Sequence, residues 1–383
     1  MRPPIRALAV SVAAAMAGLA GCTAASQSVT ATGKTLRIYL SAPASLGGDP
    51  QAQDVVEAER LAFAQLSPTV SSSFKLELRT VTAAKVSNSA RSAIEDASAI
   101  AYLGEIVPGA SADSVGITNH EDLLQVSPTD TALELTQPSA AVAGSPNRYY
   151  ESLKDFGRTF ARVVPTTTRE ARAQLREMTA VSVKKVYVTD DGSEYGRALA
   201  LAFRQAAGRS VTVLSSAASA DAVLYAGRSV AGAAALFNRV GRADAKVKLF
   251  AASALYLPAF ASALTPAVRS VYVSTPGFLP AKLSAAARQS FAAPFAAAYH
   301  HAPSPSAIFG YEAMAAVLAV LHEDGSLANN RRKVVHDFLA IRDRSSVLGS
   351  YSVDANGDTS IAPFVFSRVR AGRLTPFAFQ TAG

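Results

Sequence analysis

The sequence predicts an α/β protein built as two doubly wound parallel-sheet lobes with a ligand cleft between them. Three observations predict it. The chain has 383 residues, about two domains' worth. Short β-rich runs alternate with helix-spaced stretches, the pattern of repeated β-α units. That alternation stops at Pro165 and starts again, so there are two successive runs. Parallel sheets with helices on both faces bind ligands at the carboxyl ends of their strands.

The elements follow in order. Residues 36–40 are β-rich, and 51–65 carry Val55, Ala58, Leu61 and Ala62 at helical spacing. Residues 75–80 alternate as a strand. Helix over 90–97 and strand over 99–103 come next, then helix over 109–115 and strands over 123–126 and 160–164. The second run has helix 168–178, strand 183–188, helix 195–207 and strands 210–214 and 222–225. It continues with helix 230–240, strand 247–250, helix 258–264 and a return strand from Val271. Helices over 285–299, 307–322 and 329–340 precede paired strands within 351–379.

Composition narrows the classes. Apolar residues make 49% and charged residues 17%, enough for a large core and wrong for a disordered chain. One Cys excludes disulfides and cysteine-based zinc sites within the chain. The net charge of +8 suggests nucleic acid first. The densest basic cluster, however, is Arg331-Arg332-Lys333, and no basic stripe exists to track phosphates. No nucleic-acid partner is expected.

The first 21 residues read as a signal peptide. Arg2 and Arg6 precede the apolar run from Ala7 to Gly21, too short to span a bilayer. The run ends in Leu19-Ala20-Gly21-Cys22, which resembles the bacterial lipobox. That resemblance implies cleavage before Cys22 and lipidation of its thiol. Residues 22–35 read as a small polar tether. The expected location is the outer face of the bacterial cell membrane.

Catalytic and metal motifs fail on inspection. Gly33-Lys34-Thr35 lacks the earlier glycine of a phosphate loop and precedes a strand instead of a helix. No G-x-S-x-G elbow exists, and Ser229 reads as a helix N-cap. His300-His301 has no carboxylate at ligand spacing and reads as a solvated or capping pair. His120-Glu121-Asp122 and His322-Glu323-Asp324 read as polar loop edges. Asp354 to Asp358 has its glycine at the wrong place for a calcium loop and reads as an Asn-Gly turn. No enzyme activity, metal or cofactor is expected.

Segment order carries a resemblance over almost the whole mature chain. Its residues are Ile100–Glu105, Leu123–Pro128, Glu134–Thr136, Arg158–Pro165, Glu194–Gly196, Asp221–Gly227 and Gly349–Asp358. In that order the sequence resembles the extracytoplasmic leucine/isoleucine/valine-binding proteins, with the type I periplasmic-binding-protein fold. The resemblance implies three hinge crossings, with one lobe of 36–160 and 276–346 and another of 161–275 and 347–383. It implies capture of a small solute, an amino acid or related polar compound, for an ABC permease. A sensor or interaction lipoprotein that kept the fold and lost amino-acid binding is the alternative.

The resemblance also places the ligand site. A first-lobe serine position falls on Pro108, which offers neither hydroxyl nor N–H. The donor loop is Thr129-Asp130-Thr131, with Thr131 on the family threonine. Asp130 replaces a small neutral residue; it repels a carboxylate if it faces the cleft, or else points to solvent. Tyr195 matches the family tyrosine, Arg228 or Ser229 the next polar position, and Ser253 the acid that holds the ammonium. A neutral or cationic polar solute would suit Asp130 and Glu105 if both line the cleft.

Overall fold

The computed structural model describes residues 29–382 except 45, 71–72 and 269. Arg2, Arg6, Cys22 and the expected signal segment lie outside the described residues. The first lobe alternates β1 (Thr35–Pro43), α1 (Pro50–Leu66), β2 (Lys75–Ala83), α2 (Val86–Ile94) and β3 (Ala99–Leu103). It continues with α3 (Val115–His120), β4 (Leu124–Ser127) and β5 (Phe160–Arg162). These strands form a five-stranded parallel sheet in the order β2-β1-β3-β4-β5. All five residues of β3 are buried, as a central parallel strand covered on both faces requires. Asp49 caps α1 by accepting from the N–H groups of Gln51 and Ala52, and Pro50 supplies a pre-set φ at its first position.

The second lobe follows with α4 (Thr167–Ala180), β6 (Lys185–Asp190), α5 (Glu194–Ala207), β7 (Thr212–Leu214) and β8 (Ala222–Ala226). Then come α6 (Val230–Ala243), β9 (Lys248–Ala251), α7 (Pro258–Ser262) and β10 (Val271–Pro276). Ser193 and Ser229 cap α5 and α6 through their side chains. Strands β7, β6, β8, β9 and β10 run parallel.

The chain then returns to the first lobe. It forms α8 (Ala285–Ala287), a π-turn over Arg288–Ala292 and α9 (Ala293–Tyr299). A single helix over 285–299 was the sequence expectation. The π-turn sits just before Pro294, which cannot donate to the carbonyl of Ser290. Helices α10 (Ala307–Asp324) and α11 (Arg331–Leu339) follow, then the hairpin of β11 (Arg344–Ser346) and β12 (Gly349–Tyr351). Helix α10 is buried nearly all round and packs on α1. A Cβ on Gly310 would meet the Val55 carbonyl oxygen at 2.3 Å, so glycine permits this approach. Of the last strands, β13 (Pro363–Arg370) pairs antiparallel with β10, and β14 (Arg373–Thr381) pairs antiparallel with β13 at the sheet edge.

The most extensive core of the first lobe takes in Phe291, Phe309, Tyr351 and Val353, so the returning chain stays with that lobe past residue 346; smaller clusters of the same lobe lie beside it. Two further cores cover the faces of the second sheet. The end of the expected tether is docked. Thr30 bridges to Asn330, and Ala31 N–H donates to the Asn329 carbonyl. The basic cluster is spent on partners within the chain. Arg331 is buried against the Ala99 carbonyl, Arg332 pairs with Asp122, and Lys333 pairs with Asp324. No described helix is long and apolar enough to cross a membrane.

Candidate functional site

Two crossings between the lobes are locked together. Arg162, at the end of β5, is fully buried and forms an ion pair with Asp358 at 2.9 Å. Its Nη1 donates to the Asp130 carbonyl at 2.7 Å, and Asp358 accepts from Thr136 and Gln137. Asp354 folds the 354–358 segment into a turn by accepting from the N–H groups of Asn356 and Asp358. Gly357 has φ of 90° and approaches β5 so closely that a Cβ would lie 2.2 Å from the Phe160 carbonyl oxygen.

A cavity of about 320 Å³ lies where these lobes meet. The first lobe lines it with Asp49, Gln51, Ala52 and Val55 at the start of α1, with Ile106–Pro108 after β3, and with Thr129 after β4. Ser306, just before α10, completes that wall. The second lobe contributes Ser253 and Ala254 after β9, then Tyr256 and Leu257. Pro276, where β10 leaves the second lobe, closes the side. The strand-following segments all emerge at carboxyl ends, where this architecture places ligands.

The lobes touch across this cleft. Tyr149 Oη donates to Glu194 Oε2 at 2.6 Å, and Arg148 Nη1 lies 3.0 Å from Glu194 Oε1. A Cβ on Gly109 would stand 3.6 Å from Cβ of Tyr195 and 4.0 Å from Nη1 of Arg228.

Of the residues expected at the ligand, Pro108, Thr129 and Ser253 line the cavity. Thr129 donates its hydroxyl to the Ile106 carbonyl at 2.6 Å. Asp130 neither faces the cleft nor points to solvent. It is fully buried, and its carboxylate accepts from the N–H groups of Gly109 (2.6 Å), Ser111 (2.9 Å) and Ala132 (3.1 Å). A short acid beside a loop of unpaired N–H groups is better satisfied there than in the cleft. Thr131 is buried beside it, off the cavity wall, and its hydroxyl has no hydrogen-bond partner among the described residues. Arg228 is exposed. Ser229 caps α6, and the N–H groups of both Arg228 and Ser229 donate to Asp191. Glu105 lies off this cavity: it is buried, accepts from Ser41 and Tyr102, and burial pushes its carboxyl up to about 7.

Glu170 is the group that sequence reading missed. It sits in the first turn of α4, fully buried. It accepts from Ser253 N–H (2.7 Å), Ser253 Oγ (2.9 Å), Ser274 Oγ (2.8 Å) and Tyr195 Oη (3.2 Å). Burial pushes its carboxyl up. Ser253 therefore stands between the cavity and a buried acid, and Tyr195 is committed to that acid. Ser306 was also missed; the residue lines the cavity, and its buried hydroxyl has no hydrogen-bond partner among the described residues. A first-turn acid reads as a helix-dipole complement and a serine before a helix as a cap, so neither carried a distinguishing signal. The cavity wall holds one carboxylate, Asp49, and no Lys, Arg or His among the described residues.

The fold is that of the two-lobed type I periplasmic binding proteins. The chain is similar to a leucine-binding protein of Thermotoga maritima, at 19% identity and TM-score 0.71, over 90% of this chain and 98% of that one. It is similar to a branched-chain amino acid substrate-binding protein of Streptococcus pneumoniae solved with isoleucine, at 16% identity and TM-score 0.70, over 91% and 99%. A solute-binding protein of R. palustris solved with benzoate shares 16% identity and TM-score 0.63, over 91% and 96%. No family model matches the sequence, and no curated protein matches it.

Proposed function

We propose that this protein is the solute receptor of an ABC importer, anchored through lipidated Cys22 on the outer face of a bacterial membrane. The observation that carries the reading is the cavity lined by both lobes at the carboxyl ends of their strands, beside a crossing locked by Arg162 and Asp358. Solute-binding proteins with this fold close their lobes around a ligand. The chemistry needed is recognition alone, so no catalytic role is assigned.

The cleft favours a small neutral or cationic solute with an apolar part. A free carboxylate needs hydrogen-bond donors or a cation once it leaves water. Pro108 has no N–H, and Asp130 has taken those of Gly109, Ser111 and Ala132. Ser253 has given both its donors to Glu170. What remains is a largely apolar wall with the neutral Gln51 amide and Tyr256 hydroxyl, the carboxylate of Asp49, and no cation among the described residues. A thermal-shift screen of the protein against amides, polyamines, amidated peptides and free amino acids tests this. A true ligand at a hundred times its Kd adds about 2.7 kcal/mol. The expected hits are uncharged or cationic; hits confined to free amino acids contradict the proposal.

A further inference from the structure

His301 was expected to have no carboxylate partner, yet the fold gives it two. Asp54 and Glu57 lie one turn apart on α1, and His301 follows α9, more than two hundred residues later. One ligand atom from each lies within 4.8 Å of the others. Nε2 of His301 is 3.8 Å from Asp54 Oδ1 and 3.7 Å from Glu57 Oε2.

Each residue's other polar atom is already engaged. Asp54 Oδ2 accepts from Ser304 N–H at 2.6 Å, and Glu57 Oε1 accepts from Gln53 at 2.9 Å. His301 Nδ1 is 3.1 Å from the Ala302 carbonyl, which can only accept, so Nδ1 carries the proton. In the neutral ring this leaves the Nε2 lone pair facing the two carboxylates. An imidazole N–H held by a backbone carbonyl is the usual support of a metal-binding histidine. Glu57 Oε2 is shielded from solvent and has no hydrogen-bond partner among the described residues. No Lys or Arg pairs with either carboxylate among the described ion pairs.

The spacing favours an ion over a direct bridge. Gaps of 3.7 and 3.8 Å are too long for hydrogen bonds. Bonds of about 2.0–2.1 Å to a tetrahedral zinc put neighbouring ligand atoms about 3.3–3.5 Å apart, a small contraction from the two gaps at His301. His301 is half-exposed, so water can complete the coordination and the ion has an entry path.

We propose that Asp54, Glu57 and His301 form a binding site for one zinc-like transition-metal dication. The bound ion ties α1 to the 301–306 loop. Gln51 and Val55 on that helix and Ser306 at the end of that loop line the cleft, so the site braces one cleft wall.

The test uses the purified protein with Cys22→Ser, stripped by chelator and titrated with zinc against a chromophoric competitor. One zinc per chain is expected. His301→Ala and Glu57→Gln should each weaken it at least about tenfold, whereas His300→Ala and His322→Ala leave it unchanged. Melting in chelator confirms that each variant is folded. Cobalt gives a second readout, an absorption spectrum lost in His301→Ala; that half-exposed ring can be removed even if Glu57→Gln does not fold. Absence of zinc binding, or binding unaffected by His301→Ala, overturns the proposal.

Discussion

Replacing Glu194 by Gln should loosen the contact between the lobes. Glu194 follows the cap of α5 in the second lobe, and Tyr149 and Arg148 reach it from the first. A hydrogen bond to a charged acceptor contributes about 1.5–3 kcal/mol, against about 0.5–1.5 for a neutral one. Arg148 and Glu194 side chains are 49% and 34% exposed, so their ion pair adds at most about 1 kcal/mol. Glutamine keeps an acceptor for Tyr149 and loses the charge. The closed arrangement should lose about 1–2 kcal/mol, a factor of about 5–30 in the open-to-closed ratio. Spin labels at Ser92→Cys and Arg209→Cys, both exposed and on opposite lobes, report the distance on a Cys22→Ser background. Glu194→Gln should add or enlarge a longer-distance population in the solute-free protein. Identical distance distributions would refute the latch.

Burial holds the Glu105 carboxyl at about 7 in the fold, against an ordinary 4.5, so the folded chain keeps a proton that the unfolded chain loses. Its stabilising contribution is complete below about pH 4.5 and is lost as pH rises to about 7, by roughly 3 kcal/mol in all. Glu105→Gln should therefore gain on the parent between pH 5 and pH 8 in urea unfolding, and a constant difference would count against it. Cys22→Ser should release the protein from membranes, and a mutant that still sediments with them after a high-salt wash would rule out the lipid anchor. Gly357→Ala should destabilise the fold by more than 1 kcal/mol, because positive φ and the Phe160 carbonyl both oppose a Cβ. An unchanged urea midpoint would show that the crossing can yield.

The fold was legible because buried parallel strands leave apolar runs that helices separate. Ala99–Leu103 is such a run, and its predicted bounds match β3. The π-turn before Pro294 was not, since the alanine-rich stretch from Ala285 satisfies helix periodicity throughout. Pro108, Thr129 and Ser253 were placed on the cleft wall by resemblance alone. Asp130 went astray because a loop acid can face either solvent or its own backbone. Its N–H partner two residues on, at Ala132, is the local signal that separates these readings. Glu170 and the trio of Asp54, Glu57 and His301 arise from convergence across long stretches of chain, which one sequence does not display.

Calorimetry with leucine tests the account most directly. The cleft offers a free α-carboxylate neither a cation nor the N–H groups of Gly109, Ser111 and Ala132. Each missing charge-assisted hydrogen bond costs roughly 1.5–3 kcal/mol, and a micromolar affinity is only about 8 kcal/mol in total. Leucine should therefore give no saturable heat at micromolar concentrations, while an uncharged or cationic hit from the thermal screen does. A Kd for leucine at or below about 1 μM would contradict the account.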